Sequence, residues 1–415
     1  MSKRVEPEIE TFARIRVVGV GGSGGNAINH MIASKVRGVE FLAVNSDAQD
    51  LHRSLSRRKI HIGKNLTRGL GTGMNPELGK RAAEETRQQI QEALQGSDMV
   101  FITCGMGGGT GTGASAIVAK IAKEVGALVI AIVTKPFSFE GAQRKDIAER
   151  GLAELKKEVD AFIVIPNDKL LAVVEQTLSL KQAFALCDEV LREAVEGVSD
   201  IIRTPGDINT DFNDIKAVME GAGPTLMGIG IAEGDERAKE AAKRAVNSPL
   251  LDISISGARG VLWVVAHSDD LGIMEVHEAS KIISESVDKG AKIIWGVMKD
   301  NKLKKGQVRI IVIATGFPEG AVHASRSAVE RSLFSMSMPT EKHDEEHGRM
   351  YHDVLKHDEK EEGSGKNDAH KGSKKQEKDE PVVTATPRKR EETPPAPEDD
   401  EAWGAIPAFL RRHKK

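Results

Sequence analysis

The sequence has very little of the residues that mark several classes of protein. Its 415 residues include only two cysteines, one tyrosine and 4% aromatic residues in all, and its formal net charge is -3. Because Cys104 and Cys187 stand far apart, we expect two buried thiols in a reducing compartment and no disulfide framework. A net charge this close to zero gives no reason to expect binding to nucleic acid.

Long hydrophobic runs are also missing. No stretch of the sequence approaches the roughly 20 apolar residues that a membrane-spanning helix needs. The first eight residues are charged and contain no apolar core of the kind that a signal peptide carries. We therefore expect a cytoplasmic protein without a membrane span, which reaches a membrane only through a partner or a short peptide.

Short apolar runs alternate with longer helical segments through most of the chain. In the first part, residues 12–178, the runs are β-branched and four to six residues long, as in strands that are buried on both faces. Alternating strands and helices predict a parallel sheet covered by helices, here a Rossmann-like domain. The predicted strands are Ile15–Val20, Phe41–Val44, Met99–Cys104, Leu128–Val133 and Phe162–Ile165.

Further divisions follow from changes in periodicity and composition. A segment with apolar residues at steps of three and four predicts one long core helix between two domains, and a second α/β alternation follows it. A charge-rich stretch with almost no aliphatic residues predicts a disordered linker. The predicted divisions are a flexible N-terminus (1–11), the first domain (12–178), the core helix (179–203), a second α/β domain (204–317), the linker (318–402) and a terminal peptide (403–415).

Two glycine-rich segments directly follow predicted strands and open helices. The first is Gly19–Asn26, and the second, Gly107–Gly113, has five glycines and two threonines in seven residues. Backbone N–H groups in such turns bind phosphate, aided by the partial positive charge of a helix N-terminus. Since no Gly-x-x-x-x-Gly-Lys-Ser/Thr segment occurs, binding would not depend on a P-loop lysine. By itself, the first segment fits a dinucleotide fingerprint equally well, and it favours a nucleotide only slightly over a glycine turn without a ligand.

Seven motifs in a fixed order resemble those of the tubulin/FtsZ GTPase family. The resemblance covers about 12–317 and the terminal peptide, and it implies a GTPase that polymerises head to tail into filaments at the midcell division site of bacteria (the Z ring). Met74 and Ser23 are the two departures from the usual pattern. The motifs are Gly19–Asn26, Asn45–Gln49, Gly69–Glu77, Gly107–Gly113, Thr134–Gly141, Ile165–Asp168 and Asn209–Asp214.

The same resemblance implies a GTP/GDP site and its residues. Glycine backbones would hold the phosphates, Glu140 and Arg144 would meet the ribose and phosphate side, and Phe184 would stack on guanine beside other base-binding residues. The implied binding residues are Gly21, Gly22, Ser23, Asn26, Asn45, Gly71, Thr72, Gly108, Gly109, Thr110, Gly111, Thr134, Glu140, Arg144, Asn167, Phe184 and Asp188.

Asp188 fits guanine recognition on chemical grounds as well. Guanine presents two adjacent donors, N1–H and the 2-amino group, and one carboxylate accepts from both, whereas adenine lacks this pair of donors. The alternative interpretation is a solvated helix residue without a ligand, and without the family resemblance the residue type and its position favour that alternative.

The resemblance places catalysis in Asp211 and Asp214, together with Asn209, and implies that their loop enters the nucleotide site of a neighbouring subunit. Two carboxylates near the terminal phosphate would orient and polarise the attacking water. Mg²⁺ would be held mainly by the nucleotide phosphates, without a metal site built by the protein. The alternative is purely structural: Asp211 caps the following helix, and Asp214 favours its N-terminal dipole.

The terminal peptide resembles the FtsZ segment that docks on membrane-tether and regulatory division proteins. Its apolar residues Ile406, Phe409 and Leu410 have the spacing of a helix bound in a groove. Arg411 and Arg412 would favour an acidic groove or membrane surface. The segment His343–His347 also fits an inverted zinc-protease motif, but we interpret it as a solvated charge run.

Three other functions compete with this interpretation. A different tubulin-like filament, such as one that segregates plasmids, would not need the terminal peptide. A dinucleotide-dependent oxidoreductase would use Asp47 to hold a ribose, and would leave Gly107–Gly113 unexplained. A GTP-binding scaffold without turnover would be insensitive to substitution of Asp211 or Asp214.

Overall fold

The structure, a computed structural model, describes most of the two predicted domains and the helix between them. It describes residues 13–172, 179–203, 206–208, 210–248, 255–268, 271–300 and 302–317. The predicted N-terminal segment, linker and terminal peptide lie outside these ranges, as does Asn209.

Eleven strands in the described ranges form one mixed sheet. Their order across the sheet is β3-β2-β1-β4-β5-β6-β8-β11-β9-β10-β7. The strands are β1 (Ile15–Val20), β2 (Val39–Asn45), β3 (Arg58–His61), β4 (Met99–Gly105), β5 (Leu128–Lys135), β6 (Ala161–Pro166), β7 (Gly206–Ile208), β8 (Gly223–Glu233), β9 (Gly260–His267), β10 (Lys292–Lys299) and β11 (Gln307–Thr315).

Helices cover both faces of this sheet. A short 3-10 helix at Ser138–Glu140 follows β5, and the α-helices of the described ranges lie between strands, singly or two or three in succession. They are α1 (Gly21–Ala33), α2 (Ala48–Arg53), α3 (Lys64–Thr67), α4 (Pro76–Glu85), α5 (Arg87–Leu94), α6 (Thr110–Glu124), α7 (Ala142–Glu158), α8 (Asn167–Ala172), α9 (Leu180–Arg203), α10 (Phe212–Met219), α11 (Arg237–Val246) and α12 (Ile273–Glu285). Of the helices described, none is long and apolar enough to cross a membrane.

The first six strands are all parallel, which determines where a ligand site can form. Strands β1 to β6 pair only in parallel registers with one another. Their central members are buried on both faces, as their β-branched sequences predict. The loops after the strands therefore meet at one edge of the sheet, the edge where α/β proteins bind ligands.

The core helix α9 joins the parallel region, strands β1 to β6, to the second α/β region of the chain. Its 24 residues present a continuous apolar stripe. Val190 and Val198 on that stripe share one buried cluster with Ile132 of β5 and Ile311 of β11. One hydrophobic core therefore extends from the first domain through the helix into the second, as the predicted core helix requires.

The second region is mixed rather than parallel. Strand β11 runs antiparallel to both β8 and β9, while β9 and β10 are parallel. Helix α11 lies very close to β8, because a Cβ at Gly230 would come within 1.9 Å of the carbonyl oxygen of Ala241. The predicted class is confirmed: an α/β protein with a Rossmann-like parallel sheet, a long core helix and a second α/β region.

Candidate functional site

A cavity of about 460 Å³ opens at the carboxyl edge of the parallel strands. This volume lies within the usual range of about 300–1,000 Å³ for small-molecule sites. The loops after β1, β4, β5 and β6 line it, and α9 closes one side. Its lining residues are Val20, Gly22, Ser23, Asn26, Thr72, Gly105, Met106, Gly108, Gly109, Thr110, Gly111, Thr134, Pro136, Glu140, Arg144, Asn167, Phe184, Cys187, Asp188 and Leu191.

Two helices, α1 and α6, begin at one end of this cavity. Neither has an acidic residue in its first turn, so the partial positive charge of both N-termini is available to an anion. A Cβ at Gly108 would meet no atom of the described residues within 4 Å, which leaves its backbone open to a ligand. This end of the cavity suits phosphate groups.

Gly21 explains why the first loop needs glycine. It has φ 72, and a Cβ there would lie 2.8 Å from the backbone nitrogen of Gly111. The two glycine-rich loops therefore touch through their backbones. A side chain at this position would push the loops apart and distort the anion-binding end of the cavity.

A bonded network stiffens the loop after β5. Arg144 Nη1 donates to Glu140 Oε2 at 2.9 Å, and the backbone N–H of Phe137 donates to the other carboxylate oxygen at 3.0 Å. The N–H of Ser138 donates to Asp168 at 2.9 Å. Glu140 and Arg144 are therefore fixed against each other at the cavity wall.

The opposite end of the cavity combines aromatic and polar groups. Phe184 is 41% exposed, and its ring contacts the buried ring of Phe137 edge to face at 5.3 Å. Asn167 Oδ1 is buried and has no hydrogen-bond partner among the described residues, so it is an acceptor suited to a polar ligand. Burial raises the pKa of Asp188 to about 6, and the charge of His30 offsets part of the rise.

Fourteen of the seventeen predicted binding residues line this one cavity, and three do not. Gly21 packs behind the lining against Gly111. Asn45 turns its amide to Asp50 Oδ2 at 2.7 Å, and Gly71, with φ 78, precedes the lining residue Thr72.

Several residues at the site were not predicted from the sequence. Cys187 and Leu191 line the cavity from the face of α9 that carries Asp188, so helical spacing from Asp188 was a usable signal. Ser46 is fully buried, with its Oγ 2.6 Å from Thr110 Oγ1. No pattern in the sequence distinguished Ser46 from its neighbour Asn45.

Asp211 and Asp214 do not line the cavity; they cap α10. The N–H of Asp214 donates to Asp211 Oδ1 at 2.9 Å, and the N–H of Asp211 donates to Asp214 Oδ2 at 3.2 Å. This reciprocal capping box matches the structural alternative stated for the pair. It engages one oxygen of each carboxylate and does not by itself exclude a second role.

The parts of the chain that the structure describes contain no cluster of three or more His, Cys, Asp or Glu side chains that would hold a metal ion. The cavity contains two carboxylates, and one of these, Glu140, is paired with Arg144.

Comparison with known proteins decides the family. Residues 14–175 match the model of the tubulin/FtsZ family GTPase domain, and residues 223–318 match that of the FtsZ family C-terminal domain. An FtsZ dimer from M. jannaschii is 47% identical, with 74% of this chain and 89% of that chain covered and a TM-score of 0.70. The chain belongs to the FtsZ family.

Other solved structures agree with this assignment. A point mutant of FtsZ from M. jannaschii is 46% identical over 74% of this chain and 92% of that one, with a TM-score of 0.70. CetZ1 from Haloferax volcanii, a GDP-bound monomer, is 21% identical over 78% of this chain and 100% of that one; its TM-score of 0.66 shows a shared fold alone. As an FtsZ-family member the protein is a GTPase that binds GTP and GDP, which excludes the oxidoreductase and the scaffold without turnover.

Proposed function

We propose that this FtsZ-family GTPase binds GTP in the cavity, polymerises head to tail, and hydrolyses GTP where two subunits meet. One observation carries the proposal: the capping carboxylates Asp211 and Asp214 lie outside the cavity. Of the two carboxylates within it, Glu140 is held by Arg144 and Asp188 stands at the end suited to a base. A second subunit would supply the missing pair.

The cavity residues then bind and orient the nucleotide. Backbone N–H groups at the starts of α1 and α6 hold the phosphates, and Glu140 with Arg144 holds the ribose side. Phe184 stacks on guanine, while ionised Asp188 accepts from N1–H and the 2-amino group. Asn167 Oδ1, buried among the described residues without a partner, also belongs to the cavity lining.

Asp211 and Asp214 of the next subunit would orient the attacking water and accept its proton. Asn209 remains a third candidate, and it lies outside the described residues. Mg²⁺ would be carried by the phosphates and would neutralise their charge. The described side chains include no cluster of three or more His, Cys, Asp or Glu residues that could hold it.

Exposed apolar side chains occur beside both halves of the proposed site. Leu70 and Phe139, in loops that flank the cavity, are 82% and 60% exposed. Ile208 is exposed just before the Asp211 loop. A contact between two different surfaces of the same chain produces a filament when its rotation does not close a ring, and we propose that open arrangement here. The FtsZ dimer from M. jannaschii supports such self-association.

The cellular role extends this proposal. We infer a cytoplasmic protein at the midcell division site of a bacterium, whose terminal residues Ile406, Phe409, Leu410, Arg411 and Arg412 bind membrane-tether or regulatory proteins. Support comes from the family and from the spacing of the apolar residues in that peptide. The domain divisions predicted from the sequence belong to the same proposal.

A mixing experiment tests the shared site. Asp211→Asn keeps a good helix cap but removes the charge, and Asp188→Asn weakens guanine binding in the other half of the site. Each variant alone should hydrolyse GTP at least about 100-fold more slowly than the wild type at moderate GTP concentration. In an equimolar mixture, contacts between an intact cavity and an intact loop should restore up to about a quarter of wild-type activity. A mixture no more active than its components would contradict the proposal.

A further inference from the structure

We propose that Ser46, Thr110 and Thr72 form a chain of hydroxyl groups that presents one directed donor to a nucleotide phosphate. Ser46 is the positioning residue of this chain and does not contact the ligand. The inference rests on the proposed function in one respect, since it takes the cavity to be the nucleotide site.

The three hydroxyls come from three different loops. Ser46 follows β2, Thr72 lies between α3 and α4, and Thr110 opens α6. Ser46 Oγ lies 2.6 Å from Thr110 Oγ1, which lies 3.1 Å from Thr72 Oγ1. Their residues are 0%, 9% and 8% exposed in the order Ser46, Thr110, Thr72. Thr110 therefore joins the other two loops through its side chain.

The three linked hydroxyl groups have one more O–H proton than the contacts between them use. Three hydroxyls carry three O–H protons, and the two contacts between them use two. Among the described residues these hydroxyl oxygens make no other hydrogen bond. One of the three hydroxyls must therefore donate to a group outside the chain.

Burial decides where that spare proton lies. Ser46 is fully buried and does not line the cavity, so Thr110 Oγ1 is the acceptor within its reach. A buried O–H without an acceptor is costly; Ser46 therefore donates to Thr110. The spare proton then belongs to Thr110 or Thr72, and both of these residues line the cavity.

The backbone of Ser46 is itself held in place. His61 Nε2 and Thr67 Oγ1 each lie 3.2 Å from its carbonyl oxygen. Asn45, by contrast, directs its amide away to Asp50. The loop after β2 thus reaches the anion-binding end of the cavity through Ser46.

The chemistry of the chain fits phosphate. A phosphate oxygen accepts hydrogen bonds and does not need to donate, and a hydroxyl that is itself hydrogen-bonded in a chain becomes a stronger donor. The ligand class is therefore a nucleoside di- or triphosphate, and the chain should contribute nothing to binding of the base and sugar alone.

Binding of GDP and of guanosine by calorimetry tests this inference. Ser46→Ala should weaken GDP binding about three- to tenfold and leave guanosine binding unchanged. Thr72→Val should act in the same direction. The double variant should lose less than the product of the two single losses, because the three hydroxyls act as one unit. The control is Ser97→Ala, which removes a buried hydroxyl that donates to Leu94 O and accepts from Arg16 Nη1, outside the cavity lining; its GDP affinity should stay at the wild-type value.

Three outcomes of these binding measurements would overturn the inference. Unchanged GDP affinity in Ser46→Ala would show that Ser46 does not position a donor. An equal loss for guanosine, or for Ser97→Ala, would show a general structural effect. If Ser46→Ala does not fold, Ser46→Cys, which keeps the volume but has a weak S–H donor, must show the selective loss of GDP affinity. Failure of wild-type protein to bind GDP would refute the proposed function instead.

Discussion

Asp188 combines a raised pKa with a proposed role that needs its charge. Burial raises this pKa to about 6. Below that pH the carboxyl becomes protonated and can no longer accept both hydrogen bonds from guanine. We predict that GDP affinity falls about fivefold between pH 6 and pH 5. Asp188→Asn should bind more weakly at pH 7.5 and should lack this dependence. A titration of GDP binding against pH measures both variants.

The sign of the stability effect separates this prediction from acid unfolding. A carboxyl with a raised pKa binds its proton more tightly in the folded state, so its contribution favours folding at low pH and is lost as the pH rises through about 6. Protonation of Asp188 should therefore weaken GDP binding without destabilising the nucleotide-free protein. Parallel pH profiles of GDP affinity in the wild type and in Asp188→Asn would contradict the assignment.

Met74 has an unfavourable backbone conformation. Its φ of 63 lies in the left-handed region, in a loop where Gly71 and Gly73 also have positive φ. Met74→Gly should raise the free energy of unfolding by about 0.5–1 kcal/mol, since relief of strain exceeds the added freedom of the unfolded chain. Urea unfolding measures this change.

Met74→Ala is the control for that substitution. It shortens the side chain and keeps the Cβ that causes the strain, so it should not be stabilising. An equal gain from alanine and from glycine would assign the effect to the methionine side chain rather than to φ. The sequence marked Met74 as a departure from the family pattern, but it did not reveal the conformation, which depends on the closure of the whole loop.

At the level of single residues, the sequence predicted which residues line the cavity better than it predicted the hydrogen bonds among them. Fourteen of the seventeen predicted residues surround one cavity, because glycine-rich loops after parallel strands must meet at one edge. Asn45 and Ser46 show the limit of this reasoning. Asn45 ends β2 and Ser46 follows it, and only the packed structure shows which of the two side chains reaches Thr110.

At the scale of elements, a chain of ion pairs runs along the core helix α9. Arg192 contacts Glu189 at 2.7 Å and also pairs with Glu196, which in turn contacts Lys302 in the second region. Glu189 also lies 2.7 Å from His30 of α1. Hydrogen bonds from His30 and Arg192 outweigh burial and lower the pKa of Glu189 to about 2.

Removing Arg192, the central cation of these ion pairs, should lower the free energy of unfolding. Arg192→Met leaves two largely buried carboxylates without their common partner, and we expect a loss of about 2 kcal/mol in the free energy of unfolding. Arg87→Met is a matched control, because Arg87 pairs with Glu84 and Glu124 on a more exposed surface. That control should cost less than about 1 kcal/mol. Urea unfolding of both variants compares them, and equal losses would contradict a structural role for the chain.

The elements themselves were largely predictable, with understandable exceptions. The apolar periodicity of 179–203 predicted α9 because a helix that packs on two domains needs a continuous stripe. Strand β3, Arg58–His61, was not predicted, since two of its four residues are exposed and its sequence is basic. The antiparallel registers around β11 were also beyond the sequence, because strand direction leaves no mark in short apolar runs.

At the scale of the whole molecule, the proposed function divides the hydrolysis site between two surfaces. The cavity holds the groups suited to phosphate, ribose and base, while the Asp211 and Asp214 pair caps α10 outside it. The sequence offered both a capping and a catalytic interpretation of the pair, and the single chain realises the first. The second requires a neighbour, so assembly and hydrolysis should depend on each other.

The most direct test measures GTP hydrolysis per molecule against protein concentration, with pelleting of the same samples. With a shared site, activity per molecule should be low below a threshold concentration and should rise steeply where polymer first pellets. Asp211→Asn should still pellet with GTP while its hydrolysis stays low at every concentration. Constant activity per molecule, with nothing pelleted, would show that one chain holds the complete active site and would contradict the shared-site mechanism.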